Sequence, residues 1–301
     1  MSNRPGDVSG TTGQEPTPFT ERTPRVAHAR ALSRRSRRDA ERAFLAEGPQ
    51  AVREALADDA PAVSELFATA DALTRWPELA TAARDAGVRV STVTDRALAG
   101  LADTQRPQGL VAVCGYRDVP LDVALSRRPS LVVVLAGIAD PGNAGTVLRT
   151  ADAAGAGAVV FTDSSVDVYN GKCVRSTAGS LFHLDVVRGG DPFEVVAAVR
   201  AAGIQVLAAD LRGAADLDEL ADTGMLAGPT GWLFGSEAHG LPAELAEAAD
   251  RRVRVPIHGR AESLNLAAAA AVCLYTSARA ARGAPATSPR SSGAEGDGDA
   301  R

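Results

Sequence analysis

Three cysteines, Cys114, Cys173 and Cys273, are all that the 301 residues contain. An odd number with no zinc-like spacing predicts neither a disulfide framework nor a structural metal, and it suits a reduced compartment. Lysine is scarcer still: Lys172 is the only one, so nearly all positive charge is guanidinium. No uninterrupted apolar span reaches the roughly 18 residues that would cross a bilayer. The N-terminus also lacks the apolar core of a secretory signal. These absences predict a cytoplasmic protein with no membrane partner. The turn Gly142-Asn143-Ala144-Gly145 does not complete Gly-x-Gly-x-x-Gly, and no Gly-Lys-Ser/Thr closes it. A nucleotide-dependent oxidoreductase and a Walker-type phosphate loop are therefore disfavoured. His239 and His258 match no familiar ligand spacing, and Cys173 has no histidine near it in sequence, so neither metal binding nor a thiol nucleophile is expected.

What the chain does have is an uneven distribution of charge. The net charge is −5, yet the stretch from Arg22 to Arg42 holds eight arginines and two acids, while Leu211–Asp222 and the end of the chain are acidic. The average conceals a basic N-terminal region, the footprint of a polyanion partner. Residues 1–24 and 282–301 are rich in Gly, Pro, Ser, Thr or Ala and are expected to be disordered tails. Residues 25–118 read as a small α/β unit. A first helix near Leu32 or Ser36 is followed by helix 50–56, strand 63–68, helix 73–86 stopped by Gly87, strand 88–93, helix 96–101 and strand 110–114. Residues 119–130 read as a linker or a first helix. Residues 131–281 form a larger unit, opening on the continuous apolar run 131–136 of a strand buried on both faces. Its expected strands are 131–136, 158–161, 182–184, 205–209, 231–234 and 253–256, and its helices 144–154, 174–178, 192–202, 242–248 and 264–279. The fold class is α/β, with a mostly parallel, doubly covered sheet in this second unit.

Three clusters in the second unit carry chemistry. The first runs from Asp140 to Thr150: Pro141 and Gly142 turn the chain, Asn143 can cap the helix, and Arg149 follows six residues on. A cap and a solvated arginine are the plain alternative. The second, Asn170–Ser180, combines Lys172, Arg175 and Ser176 with flexible glycine, a set suited to gripping a phosphate backbone, with a solvated loop and helix start as the plain alternative. Asp163, Asp167 and Tyr169 stand just upstream and can fold over a ligand. The third lies in Gly228–Leu274, where Glu237 follows a strand end by two residues beyond Gly235, and Ser263 and Asn265 flank Leu264 at the mouth of the last helix. There a solvated carboxylate and two helix caps are the plain alternative.

The segments Asn143-x5-Arg149, Leu233-Phe234-Gly235-Ser236-Glu237-Ala238-His239-Gly240-Leu241 and Val255-Pro256-Ile257-x5-Ser263-Leu264-Asn265 resemble, in order and spacing, the three signature motifs of the SpoU (TrmH) branch of the SPOUT RNA methyltransferases. Lys172-x2-Arg175-Ser176-x2-Gly179-Ser180-Leu181-Phe182 is similar to the same family. The pattern Arg38-x5-Phe44-Leu45-Ala46-Glu47-Gly48-x5-Glu54-Ala55-Leu56 resembles, less specifically, the L30e-like substrate-binding domain of its ribosomal RNA members.

The resemblance implies a C-terminal domain with a deep trefoil knot, an obligate homodimer, and S-adenosylmethionine as methyl donor. Donor-contacting positions would be Gly235, Val255 and Leu264, with Ala209, Ile257 and Leu266 lining the same pocket. Arg149 would be the catalytic arginine and Asn143, Glu237, Ser263 and Asn265 its polar companions. The activity implied is transfer of a methyl group to a ribose 2'-hydroxyl, in 23S ribosomal RNA first and transfer RNA as the alternative. A non-catalytic RNA-binding protein of the same fold is the competing class. Because a guanidinium normally stays protonated, Arg149 is expected to position and activate the hydroxyl, with the final proton acceptor left open. Arg34, Arg35, Arg37 and Arg38 would contact RNA phosphates and make binding salt-dependent. No metal is implied.

Overall fold

The computed structural model describes residues 17–57 and 63–283. The expected tails lie mostly outside these residues. Where they overlap, the chain is ordered: Phe19 forms a parallel bridge with Val93 along the edge of the first sheet, and residues 282–283 belong to the last helix.

The first unit runs α1 (Pro24–Ala31), α2 (Arg35–Glu41), β1 (Ala43–Glu47), α3 (Pro49–Ala57), β2 (Val63–Ala68), α4 (Ala70–Arg75), α5 (Pro77–Asp85), β3 (Arg89–Thr92), α6 (Asp95–Ala99) and β4 (Leu110–Gly115). Its strands order β1-β4-β2-β3, with β4 antiparallel to both neighbours and β2 parallel to β3. The single helix expected over 73–86 is two helices. Pro77 opens α5 at its first turn, and Trp76 before it leaves the helical region at φ −129°, because a proline ring disfavours helical backbone in the residue that precedes it.

The second unit begins at α7 (Leu121–Ser126), inside the stretch read as a linker. Buried Ala124 packs on the sheet and Val119 N–H donates to Val186 O, so this segment covers the second unit rather than spanning a gap. There follow β5 (Leu131–Leu135), α8 (Pro141–Ala154), β6 (Ala158–Phe161), α9 (Gly171–Thr177), β7 (Asp185–Arg188), α10 (Pro192–Ala201), β8 (Gln205–Ala209), β9 (Ala215–Asp216), α11 (Leu217–Asp222), β10 (Thr230–Phe234), α12 (Ala243–Ala248), β11 (Arg251–Arg254) and α13 (Leu266–Gly283). The strand expected at 182–184 is absent. Gly179 at φ +102° turns the chain into a 3-10 turn at Ser180–Phe182, and the strand starts at Asp185.

The seven strands order β7-β6-β5-β10-β8-β11-β9, and all six pairings are parallel. Alternation sorts the faces. Val133, Leu135, Val159, Phe161, Leu207, Trp232 and Phe234 face α8, α9 and α13, while Val132, Val134, Val160, Val206, Ala208 and Leu233 face α7, α10 and α12. Burial on both sides explains the unbroken apolar runs in the sequence. After β8 the chain crosses tightly over β11. Asp210 N–H donates to Val253 O, and a side chain at Gly213 would meet the Arg252 and Val253 main chain at 2.7 Å.

The two units share one continuous core, in which Phe44 of β1 packs on Tyr169 and Phe182 of the second unit. His183 adds a polar clasp: Nδ1 lies 2.8 Å from Asp152 Oδ2 on α8, and Nε2 lies 3.3 Å from Glu54 Oε2 on α3. Burial works against the imidazolium, but the two carboxylates outweigh it and the pKa rises above its ordinary value. A raised folded-state pKa means that this clasp stabilises fully below the unfolded pKa and is lost as pH rises through the folded value. The urea midpoint of the protein is therefore expected to fall as pH rises above the ordinary histidine range of about 6.5. His183→Gln should flatten that part of the profile, and an unchanged slope would rule the clasp out.

Candidate active site

The parallel sheet presents its C-terminal strand ends along one edge, where α/β proteins place ligands. β5 ends at Leu135 and leads through residues 136–140 into α8. Asp140 is the N-cap of that helix, its Oδ1 accepting from Asn143 N–H at 2.8 Å, with Pro141 at the first position. Asn143 is thus not the cap, and its side-chain amide is free for other work. Asp140 was not singled out from sequence, although an Asp directly before a Pro that opens a helix is the signal that finds it. Its other oxygen accepts from Lys172 Nζ at 2.7 Å, and this hydrogen bond, with the main-chain donors at the helix start, holds its pKa below the ordinary value.

β10 is hydrogen-bonded to β5, so its end lies beside residues 136–140. Ser236 and Gly240 close a tight turn through reciprocal main-chain bonds of 3.1 and 2.8 Å. Only glycine fits at 235, where a Cβ would overlap the Gly240 main chain, and Gly240 takes φ +68°. The turn presents Glu237 to the start of α8. Glu237 Oε2 accepts from Ala139 N–H at 3.2 Å, and Oε1 accepts from Asp140 N–H at 3.2 Å and from Asn143 Nδ2 at 3.0 Å. Burial opposes ionisation here, but these donors prevail and hold the Glu237 pKa below its usual range. Asn143 Oδ1 in turn accepts from Asn265 Nδ2 at 3.2 Å, and Asn265 Oδ1 accepts from Ala267 N–H at 2.9 Å at the start of α13. The chain Glu237–Asn143–Asn265 ties the three sequence clusters into one constellation and leaves the Asn143 amide a single orientation.

Two expected members stand apart from it. Ser263 is exposed and makes no side-chain hydrogen bond among the described residues; Asn265 serves the start of α13 instead. Arg149 lies six residues beyond Asn143, which on an α-helix is a rise of about 9 Å and a different face. It is exposed, on a stripe with Thr146 and Ala153, and has no ion pair among the described residues.

Gly235, Ala209 and Val255 sit at or just past the ends of β10, β8 and β11, neighbours in the sheet. Ile257 and Leu266 are half-buried beside them, and Leu264 is exposed. The main-chain groups of residues 257–264 form no main-chain hydrogen bonds among the described residues. A run of open peptide groups beside three strand ends fits a ligand gripped largely by backbone, as the resemblance implies for S-adenosylmethionine.

The second cluster reaches the site through close helix packing. A side chain at Gly145 of α8 would overlap Cys173 O and the Ser176 side chain of α9, so only glycine lets the helices approach. Lys172 arrives beside Asp140. Ser176 Oγ donates to Lys172 O, and Arg175 crosses to the first unit, pairing with Asp103 at 2.8 Å and Glu47 at 3.8 Å.

Of the four arginines expected to meet phosphates, Arg34, Arg35 and Arg37 are exposed. Arg38 is a correction. It is 4% exposed, donates to Asp167 Oδ2 at 2.7 and 3.1 Å and to Leu32 O and Ser33 O, and so is a seam between the units, closed to RNA. Cys114, Cys173 and Cys273 are free thiols in the core, and burial pushes the Cys114 thiol up to about 12.

Residues 130–275 match the SpoU rRNA Methylase family, and residues 23–112 match an MRM3-like substrate binding domain. A 23S rRNA (guanosine(2553)-2'-O)-methyltransferase of Bacillus subtilis is 36% identical over 232 residues, covering 77% of this chain and 87% of its own. A 23S rRNA (uridine(2479)-2'-O)-methyltransferase of Streptomyces viridochromogenes is 38% identical over 180 residues, 58% of this chain and 61% of its own. Among solved structures, an AdoMet-bound rRNA methyltransferase from Sinorhizobium meliloti superposes with a TM-score of 0.73 at 32% identity, covering 85% of this chain and 95% of its own. The SpoU methyltransferase AviRb from Streptomyces viridochromogenes, in complex with AdoMet, gives the same TM-score and identity over 85% of this chain and 98% of its own.

Proposed function

The chain belongs to the SpoU rRNA methylase family and is an S-adenosylmethionine-dependent RNA ribose-2'-O-methyltransferase, and we propose that it acts on 23S ribosomal RNA as a cytoplasmic homodimer, with Asn143, Arg149, Glu237, Ser263 and Asn265 on the acceptor side of its site. Its mostly parallel sheet is typical of the SPOUT knot fold. The Glu237–Asn143–Asn265 chain carries the site reading, because it binds all three signature segments together beside the open peptide groups of residues 257–264.

S-adenosylmethionine, when bound, supplies a sulfonium methyl group. Gly235, Ala209, Val255, Ile257, Leu264 and Leu266 are the residues proposed to hold it, through main-chain groups and apolar contact. The protein's share of catalysis is then orientation. A ribose 2'-hydroxyl is a poor nucleophile and must be held close and in line for attack. The ionised Glu237 fixes the start of α8, and Asn143, locked from both sides, offers a rigid amide to the ribose. Arg149 brings a guanidinium with no acceptor among the described residues, which suits the hydroxyl oxygen or the adjoining phosphate.

The first unit, residues 25–118, is proposed to select the RNA, with Arg34, Arg35, Arg37, Lys172, Arg175 and Ser176 near its backbone. Cytoplasmic residence is supported by three free core thiols. Among the described residues, no helix is long and apolar enough to cross a membrane. The homodimer is supported by α13, whose exposed stripe of Ala268, Val272 and Tyr275 is apolar, and by its packing on α8, which carries Arg149 outward. A second copy over this face would enclose Arg149. Val272→Asp combined with Tyr275→Asp is expected to give a monomer by light scattering, with methyl transfer reduced at least about tenfold. A double variant that remains a dimer would remove the stripe from the interface.

The ribose assignment is tested with methyl-labelled donor and bulk RNA. Methylation of a 2'-oxygen blocks alkaline cleavage, so the label should appear in alkali-stable dinucleotides. Label confined to mononucleotides would refute it.

A further inference from the structure

A second cleft, distinct from the Glu237–Asn143 constellation, opens over the ends of β6 and β7. It holds about 200 Å³ and is lined by Thr162, Asp163, Ser165, Arg188 and Gly189 of the second unit and by Arg35 of α2. It thus lies on the seam between the substrate-binding unit and the catalytic unit. Much of its polar lining is already committed. Asp167 is taken up by Arg38, and Thr162 Oγ1 and Ser165 Oγ both donate to Leu135 O.

Three groups retain capacity. Asp163 is exposed, and Oδ1 accepts from Gly190 N–H at 2.9 Å, while its second oxygen has no partner among the described residues. Arg35 is exposed and, among the described residues, pairs only with Asp39, at 3.6 Å. Arg188 is held rigidly against the rings of Tyr116 and Tyr169, its guanidinium carbon 4.6 and 5.2 Å from their centres. It donates through Nη2 to Asp39, yet its Nη1 lies out of water with no hydrogen bond, 4.0 Å from Asp118 Oδ1. One guanidinium with donors to spare, that of Arg35, a second fixed positive charge, that of Arg188, and one carboxylate with a free oxygen are complementary to a phosphate next to a hydroxyl. A bare anion would be repelled by Asp163, and an apolar group would strand all three.

Position narrows the ligand further. The cleft loop is bonded to the residues that precede α8, through Val166 N–H to Ile138 O at 2.8 Å and Gly137 N–H to Ser165 Oγ at 3.1 Å. β6 is the immediate neighbour of β5, and strands lie about 4.8 Å apart, so the cleft is one to two strand spacings from the end of β5 that leads into α8, where the acceptor ribose is proposed to sit. That is the scale of one step along a nucleic acid strand.

We infer that this cleft receives the ribose-phosphate unit of the RNA nucleotide flanking the methylated one, with Asp163 accepting from its 2'-hydroxyl and Arg35 and Arg188 facing its phosphate. The inference rests on the methyltransferase reading and adds a subsite to it. It gives the enzyme a way to tell RNA from DNA outside the reacting position, since only RNA offers that hydroxyl.

The sign of one substitution tests it. Removing a carboxylate from an RNA-binding surface tightens binding if the effect is only long-range charge. If Asp163 holds a ribose hydroxyl, its removal weakens binding. Transfer from labelled donor to protein-free 23S ribosomal RNA is measured for the full chain and for Asp163→Asn, which keeps an oxygen for Gly190 N–H, and Arg35→Ala. Each variant is expected to raise KM for RNA about tenfold with kcat and donor affinity unchanged. Arg34→Ala, on the same helix but outside the cleft, should raise it less than Arg35→Ala. An Asp163→Asn enzyme with an unchanged or lower KM overturns the subsite, as does equality of the Arg34 and Arg35 variants. Absence of transfer by the unsubstituted protein would instead strike the methyltransferase reading on which the subsite rests.

Discussion

Arg149→Ala is expected to lower methyl transfer by about a thousandfold or more while leaving donor affinity within about twofold, because in the proposed site Arg149 acts only as the hydroxyl reacts. The reasons are positional. Arg149 is exposed on α8, unpaired among the described residues, and outside the Glu237–Asn143–Asn265 chain, so its loss breaks no contact that holds the fold. The residues proposed to hold the donor come from other strand ends. Titration calorimetry with S-adenosylmethionine and a single-turnover rate separate the two effects. A variant that loses donor binding would show Arg149 to be part of the donor site, and one that transfers normally would show that the guanidinium is dispensable. Arg149→Lys is expected to recover little, since one ammonium cannot reproduce a planar fork of donors.

The largest effect on stability is expected at Arg38. Its side chain and that of Asp167 are each 5% exposed, and the guanidinium also satisfies Leu32 O and Ser33 O. Arg38→Ala would leave a buried carboxylate uncompensated at the seam between the units, a loss of about 3–5 kcal/mol. Arg37→Ala, one residue away, removes only an exposed pair with Glu41 at 3.3 Å and should cost under about 0.5 kcal/mol. Denaturant unfolding of the two variants side by side checks the contrast. Equal losses would mean that the Arg38–Asp167 pair contributes nothing beyond an ordinary surface contact.

The neighbouring arginines show what a linear sequence conceals. Arg34, Arg35, Arg37 and Arg38 read alike because their spacing says only that they share a short helix. What separates Arg38 is Asp167, a partner 129 residues away, which no local pattern announces. The same limit applies to the 3-10 turn at Ser180–Phe182, where the apolar character of a strand was present but Gly179 supplied a backbone angle that ends it. The buried parallel strands were legible because burial on both faces leaves runs such as residues 131–135 with no polar interruption. The site was legible in its parts. Glu237, Asn143 and Asn265 stood out as polar residues beside strand ends and helix starts, but their joining depends on β10 lying next to β5, a crossover that sequence order hides. Ser263 and Asn265 were equal candidates for the start of α13, and only the geometry distinguishes them.

The central claim is methylation of a ribose oxygen in 23S ribosomal RNA. The full chain, methyl-labelled S-adenosylmethionine, and separate pools of protein-free 23S ribosomal RNA and transfer RNA test it most directly, with alkaline hydrolysis and nucleoside analysis of each pool. Label is expected in the 23S pool alone, as a 2'-O-methyl nucleoside, and none from the Arg149→Ala enzyme. Label confined to transfer RNA, or carried on a base, would contradict it.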